Sequence, residues 1–423
     1  MILGAIADDL TGATDLSLIL SRNGMRVVQV IGVPDTLGDV ARDADVVVVA
    51  LKSRTIPAAE AIEMSLASAR ALQAAGAKQL FFKYCSTFDS TDDGNIGQVT
   101  TALMEHLGTA HTLACPSFPE NGRTVYKGHL FVFDQLISES PMRDHPLTPM
   151  CDPNLVRVLS RQSNRPVRLV PHETVRRGAA AINAALLQEP GICIVDAITD
   201  SDLRAIGRAA AQFPLVTGGS AVAMGLPDLY RENGWIAPAA EREAFIAPEG
   251  RGVILAGSCS AMTRRQIATA EKAGMQMMQL DALRIASGEI TPELVVAFAE
   301  TASQCSSLPP VIYSSAEPAI VAQAQKTLGR MHAGEIVEGL LARVAATLAT
   351  RGYTRFISAG GETSGAVVAA LGCSAVRIGP EIDPGVPWVL SVNTERPLCL
   401  ALKSGNFGSE DFFLKAWEML AWA

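Results

Sequence analysis

The chain has 423 residues, a formal net charge of −8, and 48% hydrophobic against 5% aromatic residues. That length exceeds one ordinary core, so two domains of roughly 200 residues each are expected. The acidic balance argues against nucleic acid as the main partner, and no window approaches about 18 uninterrupted apolar residues, so no membrane span is expected.

Short apolar runs alternate with helical patterns, which predicts an α/β fold with largely parallel sheets flanked by helices. The first strand is expected at 2–7, without a basic, apolar leader before it, so cytoplasmic location is the default. It runs into Ala7-Asp8-Asp9-Leu10-Thr11-Gly12-Ala13-Thr14-Asp15. Two adjacent carboxylates thus stand where the C-terminal edge of a parallel sheet opens, the edge outside which ligands bind. A helix cap accounts for one of these acids but does not require both, which makes Asp8 and Asp9 candidate functional residues.

Further strands are predicted at 26–31, 45–51, 78–84, 111–115, 167–170, 191–196 and 214–217, with helices between them such as 58–75 and 174–187. The run from Val46 to Leu51 lacks polar alternation and reads as a central strand buried on both faces. The strand ends add Lys52, Ser53 and Arg54, then Lys83 to Asp89. Arg54 and Lys83 fit a clamp for a carboxylate or phosphate, the structural alternative being that Lys83 pairs with Asp8 or Asp9. Ser86, Thr87 and Asp89 are suited to hydrogen-bonding sugar-like hydroxyls. The proline-rich segment 116–153 is too long for a routine connector. Its Arg123 and Lys127 add positive charge, and its other reading is a surface excursion that supports a neighbouring subunit in a homodimer.

A Pro/Gly/charge-rich break around 226–250 divides the chain. The expected parts are an N-terminal domain over 1–230, a linker over 231–250 and a C-terminal domain over 251–423. In the latter, three apolar strands run into Gly/Ser/Thr turns at Gly257-Ser258, Gly360-Gly361-Glu362-Thr363 and Ser404-Gly405. Such turns bare backbone N–H groups and let an anion approach closely, so together they predict a phosphate-binding edge for a nucleotide. There is no Walker A sequence and no Gly-x-Gly-x-x-Gly at a strand-to-helix turn. A final helix is expected from Ser409 to Ala421, with Ser409 as its cap. The eight cysteines form no CxxC pair and read as reduced and mostly buried. The six histidines show no metal-ligand spacing, so no protein-held metal is expected.

Long motifs carry a resemblance that spans the whole chain. They include Ile6-Ala-Asp-Asp-Leu-Thr-Gly-Ala-Thr-Asp15, Leu51-Lys-Ser-Arg-Thr55, Phe82-Lys-Tyr-Cys-Ser-Thr-Phe-Asp-Ser90, Cys115-Pro-Ser-Phe-Pro-Glu-Asn-Gly-Arg-Thr124, Ala359-Gly-Gly-Glu-Thr-Ser-Gly365 and Ala401-Leu-Lys-Ser-Gly-Asn-Phe-Gly408. In these the chain resembles the four-carbon acid sugar kinase family, departing from it at Leu10, where the family has Phe. The resemblance implies an N-terminal substrate domain and a C-terminal nucleotide domain. It also implies ATP-dependent phosphorylation of the terminal hydroxyl of a four-carbon sugar acid, with Mg²⁺ bridging the ATP phosphates. A 3-oxo acid is the expected substrate; threonate or erythronate, and a non-catalytic sugar-acid sensor, are the alternatives. Family nucleotide contacts carry over onto Ser258, Gly360, Gly361, Glu362, Thr363 and Gly405. On this reading Arg54 and Lys83, helped by Arg123, hold the substrate carboxylate, and Asp8 or Asp9 accepts the proton of the attacking hydroxyl.

Overall fold

The computed structural model describes residues 1–88, 91–92, 94–145, 148–237, 245–314, 326–328, 330–392 and 394–421. The chain divides into two compact units, Met1–Arg242 and Glu243–Ala423. Each is an α/β domain, as the alternating pattern predicts.

The first unit contains strands β1 (Leu3–Ala7), β2 (Val27–Ile31), β3 (Val46–Ala50), β4 (Gln79–Lys83), β5 (His111–Cys115), β6 (Arg123–Tyr126), β7 (His129–Val132), β8 (Gln135–Leu136), β9 (Val167–Val170), β10 (Gly191–Val195) and β11 (Leu215–Gly218). Its main sheet is wholly parallel in the order β2-β3-β1-β4-β11-β5-β10-β9. Val46, Val47, Val48 and Val49 of β3 have no exposed surface, as their unbroken apolar run requires of an inner strand. Helices α1 (Leu10–Arg22), α2 (Ala58–Ala74), α3 (Ile96–Leu107), α4 (Leu155–Gln162), α5 (His172–Val175), α6 (Ala179–Leu187), α7 (Asp200–Ala210) and α8 (Leu226–Glu232) connect or flank these strands.

The second unit holds β12 (Arg251–Ala256), β13 (Met277–Gln279), β14 (Val311–Tyr313), β15 (Tyr353–Ala359), β16 (Ala375–Asp383), β17 (Val386–Ser391) and β18 (Cys399–Lys403). The order is β13-β14-β12-β15-β18-β17-β16, parallel through β18 and antiparallel at β17 and β16. Helices α9 (Ala261–Lys272), α10 (Ala282–Ala286), α11 (Pro292–Cys305), α12 (Arg330–Thr350), α13 (Gly361–Ala370) and α14 (Phe412–Ala421) accompany it. The buried Trp388 anchors the core, donating its indole N–H to the Ala416 carbonyl at 2.9 Å. Among the described residues no helix is long and apolar enough to cross a membrane.

Several local expectations are corrected. The single helix expected over 174–187 is two, because Gly178 takes a left-handed φ of 88° that ends α5 before α6 begins. The last helix starts at Phe412 rather than Ser409, since the Ser409 N–H and hydroxyl both turn to Asp383 at 2.8 Å. Segment 116–153 is not a plain loop: β6, β7 and β8 form a small antiparallel sheet within it. Of the expected linker, α8 extends through Glu232, and 238–244 lie outside the described residues. Pro248 and Glu249 accept hydrogen bonds from Arg355 and Thr354 at 2.9 Å each, so that stretch packs on the second unit. Cys151, Cys259 and Cys305 are exposed, so the cysteines are less uniformly buried than expected.

One buried carboxylate ties the small sheet down. Asp196, just after β10 and without exposed surface, accepts N–H bonds from Lys127 (2.7 Å), Gly128 (2.9 Å) and His172 (3.0 Å). Asp196→Ala leaves these donors unsatisfied, and an equilibrium denaturation series is expected to show a loss on the order of 3 kcal/mol. A loss no larger than that of the surface change Arg208→Ala would contradict this assignment.

Candidate active site

In both sheets the winding direction reverses beside the first strand, and both candidate clusters stand at that reversal. In the first unit the chain leaves β1 toward β2 and β3, then crosses to β4 on the other side of β1. In the second it leaves β12 toward β13 and β14, then crosses to β15. Connections that depart to opposite faces leave a crevice between the two central strands, which is where open α/β sheets bind ligands.

At the first crevice, the β1–β4 register sets Ala7 beside Lys83, and the Asp8 N–H donates to the Lys83 carbonyl at 3.0 Å. Asp8 is buried and takes both arms of the Arg54 guanidinium, at 3.0 Å from Nε and 2.8 Å from Nη2. The same Nη2 stands 2.8 Å from Asp9 Oδ1. Arg54 is held in place because the Asn95 amide donates to the Ser53 and Arg54 carbonyls at 2.6 and 3.2 Å. Burial pushes the Asp8 carboxyl up while Arg54 pulls it back. Burial likewise opposes the Arg54 charge, but Asp8 and then Asp9 outweigh it and hold the guanidinium above its ordinary range. An arginine does not give up its proton in proteins, so the guanidinium is charged.

Asp9 has a second role as the cap of α1, where its Oδ1 accepts from the Gly12 N–H at 2.8 Å. Its Oδ2 makes no hydrogen bond among the described residues, and the side chain is 29% exposed. Lys83 is 3% exposed, yet it forms no side-chain hydrogen bond or ion pair among the described residues, although its charge lowers the carboxyls of Asp8 and Asp15. Gly12 makes this arrangement possible. A methyl group there would stand 2.4 Å from Asp9 Oδ1 and 2.6 Å from Lys83 Nζ.

Of the remaining first-unit candidates, Ser86 and Thr87 follow β4 and Arg123 lies on β6. Ser86 is half-buried and Thr87 is buried with its hydroxyl 2.8 Å from the Cys85 sulfur. Asp89 lies outside the described residues. Arg123 sits in β6, its guanidinium over the Phe133 ring at 5.9 Å. Phe88 holds a left-handed φ of 56° while fully buried against Tyr84, a strained conformation at the turn that leads out of β4.

The three turns of the second unit do converge. The N–H groups of Gly257 and Ser258 donate to the Ala359 carbonyl at 3.0 and 3.1 Å, and that of Gly360 donates to the Lys403 carbonyl at 2.9 Å. A side chain at Gly257 would meet Thr363 Oγ1 at 2.1 Å, and one at Gly405 would meet Ser258 Oγ at 2.3 Å. Gly360 has a left-handed φ of 128° and backs onto both Thr363 Oγ1 and the Ser258 nitrogen. Gly361 and Glu362 are exposed on the first turn of α13, and Thr363 is buried behind them. That turn carries N–H groups without intrahelical acceptors and the positive end of the helix dipole. The cradle suits a polyphosphate chain, being narrow and glycine-walled with the first turn of α13 at its edge, although the Gly257, Ser258 and Gly360 N–H groups are spent on carbonyls rather than bare as expected.

Three groups of residues escaped the sequence reading. Asp15, on α1, accepts a short hydrogen bond from the Ser220 hydroxyl beyond β11; burial pushes its carboxyl up, while Lys83 and Ser220 draw it down. Ser260 caps α9, and together with Thr263 it donates to the Gly405 carbonyl at 2.6 and 2.8 Å. Lys403, the last residue of β18, has its ammonium buried against the same carbonyl. Only Ser260 had a readable signal, as a cap-type residue before a helical pattern. Among the described residues no group of three His, Cys, Asp or Glu side chains could hold a metal ion.

Comparison with known proteins agrees with this division. Residues 3–226 match the family model described as a sugar-binding N-terminal domain, and 253–413 match that described as a nucleotide-binding C-terminal domain. The 3-oxo-tetronate kinases of Cupriavidus necator and Burkholderia multivorans are 50% and 51% identical to this chain, each match covering 99% of it and 97% of the relative. Among solved structures, a Haemophilus influenzae protein superposes with a TM-score of 0.86 at 40% identity, covering 99% of this chain and 100% of the other. A Salmonella typhimurium LT2 protein, determined under a provisional tRNA-synthase description, gives 0.88 at 42% identity over 99% of each chain. With a sugar-binding and a nucleotide-binding domain in series and such identity along its whole length, the chain belongs to the 3-oxo-tetronate kinase family.

Proposed function

We propose that this protein transfers the terminal phosphoryl group of ATP to the 4-hydroxyl of a 3-oxo-tetronate. The observation that carries the reading is the pairing of crevices: an acid–base cluster at the switch point of a sugar-binding domain, and a glycine-walled anion cradle at the switch point of a nucleotide-binding domain. Phosphoryl transfer needs in-line positioning and charge neutralisation more than a strong base.

Lys83 is the proposed partner of the substrate carboxylate, being a buried cation with no anion bonded to it among the described residues. Arg54, expected as the other half of that clamp, braces the two acids. Asp9 is the proposed proton acceptor, because Oδ2 is open while both Asp8 oxygens are occupied by Arg54. Ser86, Thr87 and Asp89 are proposed to orient the hydroxyl and oxo groups, with Arg123 adding positive charge. On the second unit, Ser258, the turn Gly360 to Thr363, and Gly405 hold the nucleotide. Mg²⁺ is proposed to arrive on the nucleotide, where it supplies neutralising charge to the phosphates, since kinase Mg²⁺ is bound largely through substrate phosphates and water. Cytoplasmic location and homodimerisation through 116–153 complete the proposal.

A coupled ADP-release assay with Mg-ATP is expected to show turnover of 3-oxo-tetronates in preference to threonates and erythronates. Turnover of the hydroxy acids alone would replace the substrate, and binding without ADP release would replace the enzyme with a sensor. Asp9→Asn keeps a side chain that caps helices equally well, so it is expected to melt like the parent while kcat falls roughly hundredfold or more. Near-parental kcat in that variant would remove Asp9 from the mechanism. Gly12→Ala would ordinarily favour a helix by about 1 kcal/mol. Here it is expected to cut kcat/KM at least tenfold with little loss of stability, because the displaced atoms are the ends of Lys83 and Asp9. Unchanged kcat/KM would show that the pair has no part in turnover.

A further inference from the structure

Lys403 stands out among the buried polar residues. It is 1% exposed, and its Nζ donates to Thr263 Oγ1 at 3.2 Å and to the Gly405 carbonyl at 3.1 Å. No carboxylate acts on it among the described residues, and burial alone lowers it to about 8. An ammonium taken out of water without a counter-charge is costly. Its surroundings add to that cost, because Thr263 belongs to the first turn of α9, where the helix dipole is already positive.

The hydrogen bonds around it also leave the ammonium with a spare donor. The Gly405 carbonyl is approached by Ser260 Oγ at 2.6 Å, Thr263 Oγ1 at 2.8 Å and Lys403 Nζ at 3.1 Å. A carbonyl oxygen has two lone pairs and the Ser260 hydroxyl has a second acceptor in Thr263 Oγ1 at 3.1 Å, whereas the ammonium has three N–H groups and only two acceptors among the described residues. The longest of the three contacts is the lysine's. Beyond Gly405 lies the cradle, with Ser258 Oγ close enough to exclude any side chain at that glycine. A surplus cationic donor beside an uncompensated dipole is an arrangement that an arriving anion relieves.

We propose that Lys403 is a phosphate-binding residue of the second unit, its ammonium turning from the Gly405 carbonyl to an oxygen of the nucleotide's phosphate chain. This rests on the nucleotide reading of that unit given above. In the nucleotide-free protein Lys403 is a source of instability, and the bound phosphate compensates its charge and takes up its spare donor.

The test is titration of the full-length parent and of Lys403→Met with ADP, ATP and adenosine, alongside thermal melting without ligand. The expected result is that Lys403→Met melts no lower than the parent, loses at least tenfold in affinity for ADP and ATP, and keeps its affinity for adenosine. Equal losses for adenosine and ADP, or no loss for either, would overturn the proposal, because a residue that merely shapes the turn does not distinguish phosphate from nucleoside. A parent that binds none of the three would overturn the nucleotide reading itself. Should Lys403→Met fail to fold, Lys403→Gln, which keeps a polar donor but no charge, is read by the same ADP-to-adenosine ratio.

Discussion

A sheet that grows on both sides of its first strand has to change winding direction beside that strand, and each unit of this protein places its polar chemistry at that change. The constraint is geometric before it is chemical. Connections that leave for opposite faces cannot fill the space between the two central strands, so the chain ends there face a gap instead of a helix. In the first unit the gap is lined by Asp8 and Lys83, in the second by Ser258 and Gly360. Everything inferred about acceptor and donor sites follows from which residues the sequence puts at those strand ends.

The two gaps are furnished differently. The first is built from charged side chains that hold one another: Arg54 bridges Asp8 and Asp9, and Asn95 fixes the backbone that carries Arg54. A buried ion pair of this kind is weak evidence for stability, since desolvation offsets most of the attraction. Its value is that two acids emerge from one strand with different freedom, one locked and one with an open oxygen. The second gap is built from main chain. Its walls are glycines pressed against Thr363 and Ser258, and its polarity comes from N–H groups and hydroxyls.

Much of this was legible in the sequence because strand ends are legible. An apolar run with no polar alternation marks β3 as an inner strand, and the residues that follow such runs are fixed to one sheet edge by the parallel register. Asp8, Asp9, Lys83 and the three glycine turns were found in that way. Asp15 was missed because a single acid in a helix is indistinguishable from a solvated face; only the fold brings Ser220, far along the chain, to meet it. Lys403 was missed for a related reason. A lysine that ends a strand is ordinarily taken to reach water, and its burial depends on α9 covering it. The last helix starts later than expected because Ser409 has the composition of a cap but is engaged by Asp383 at the end of β16, a contact that no local pattern encodes.

The glycines also determine how this scaffold can be altered by an engineer. Gly12, Gly257 and Gly405 each have a neighbouring side-chain oxygen within 2.4 Å of where a methyl group would be, so a library that diversifies the strand-end turns one position at a time has to leave these three codons untouched. The neighbours themselves are side chains rather than backbone at all three positions. Paired libraries that shorten Thr363 or Ser258 while enlarging Gly257 or Gly405 are therefore the route by which the cradle's width becomes an adjustable dimension, and with it the size of the anion it admits.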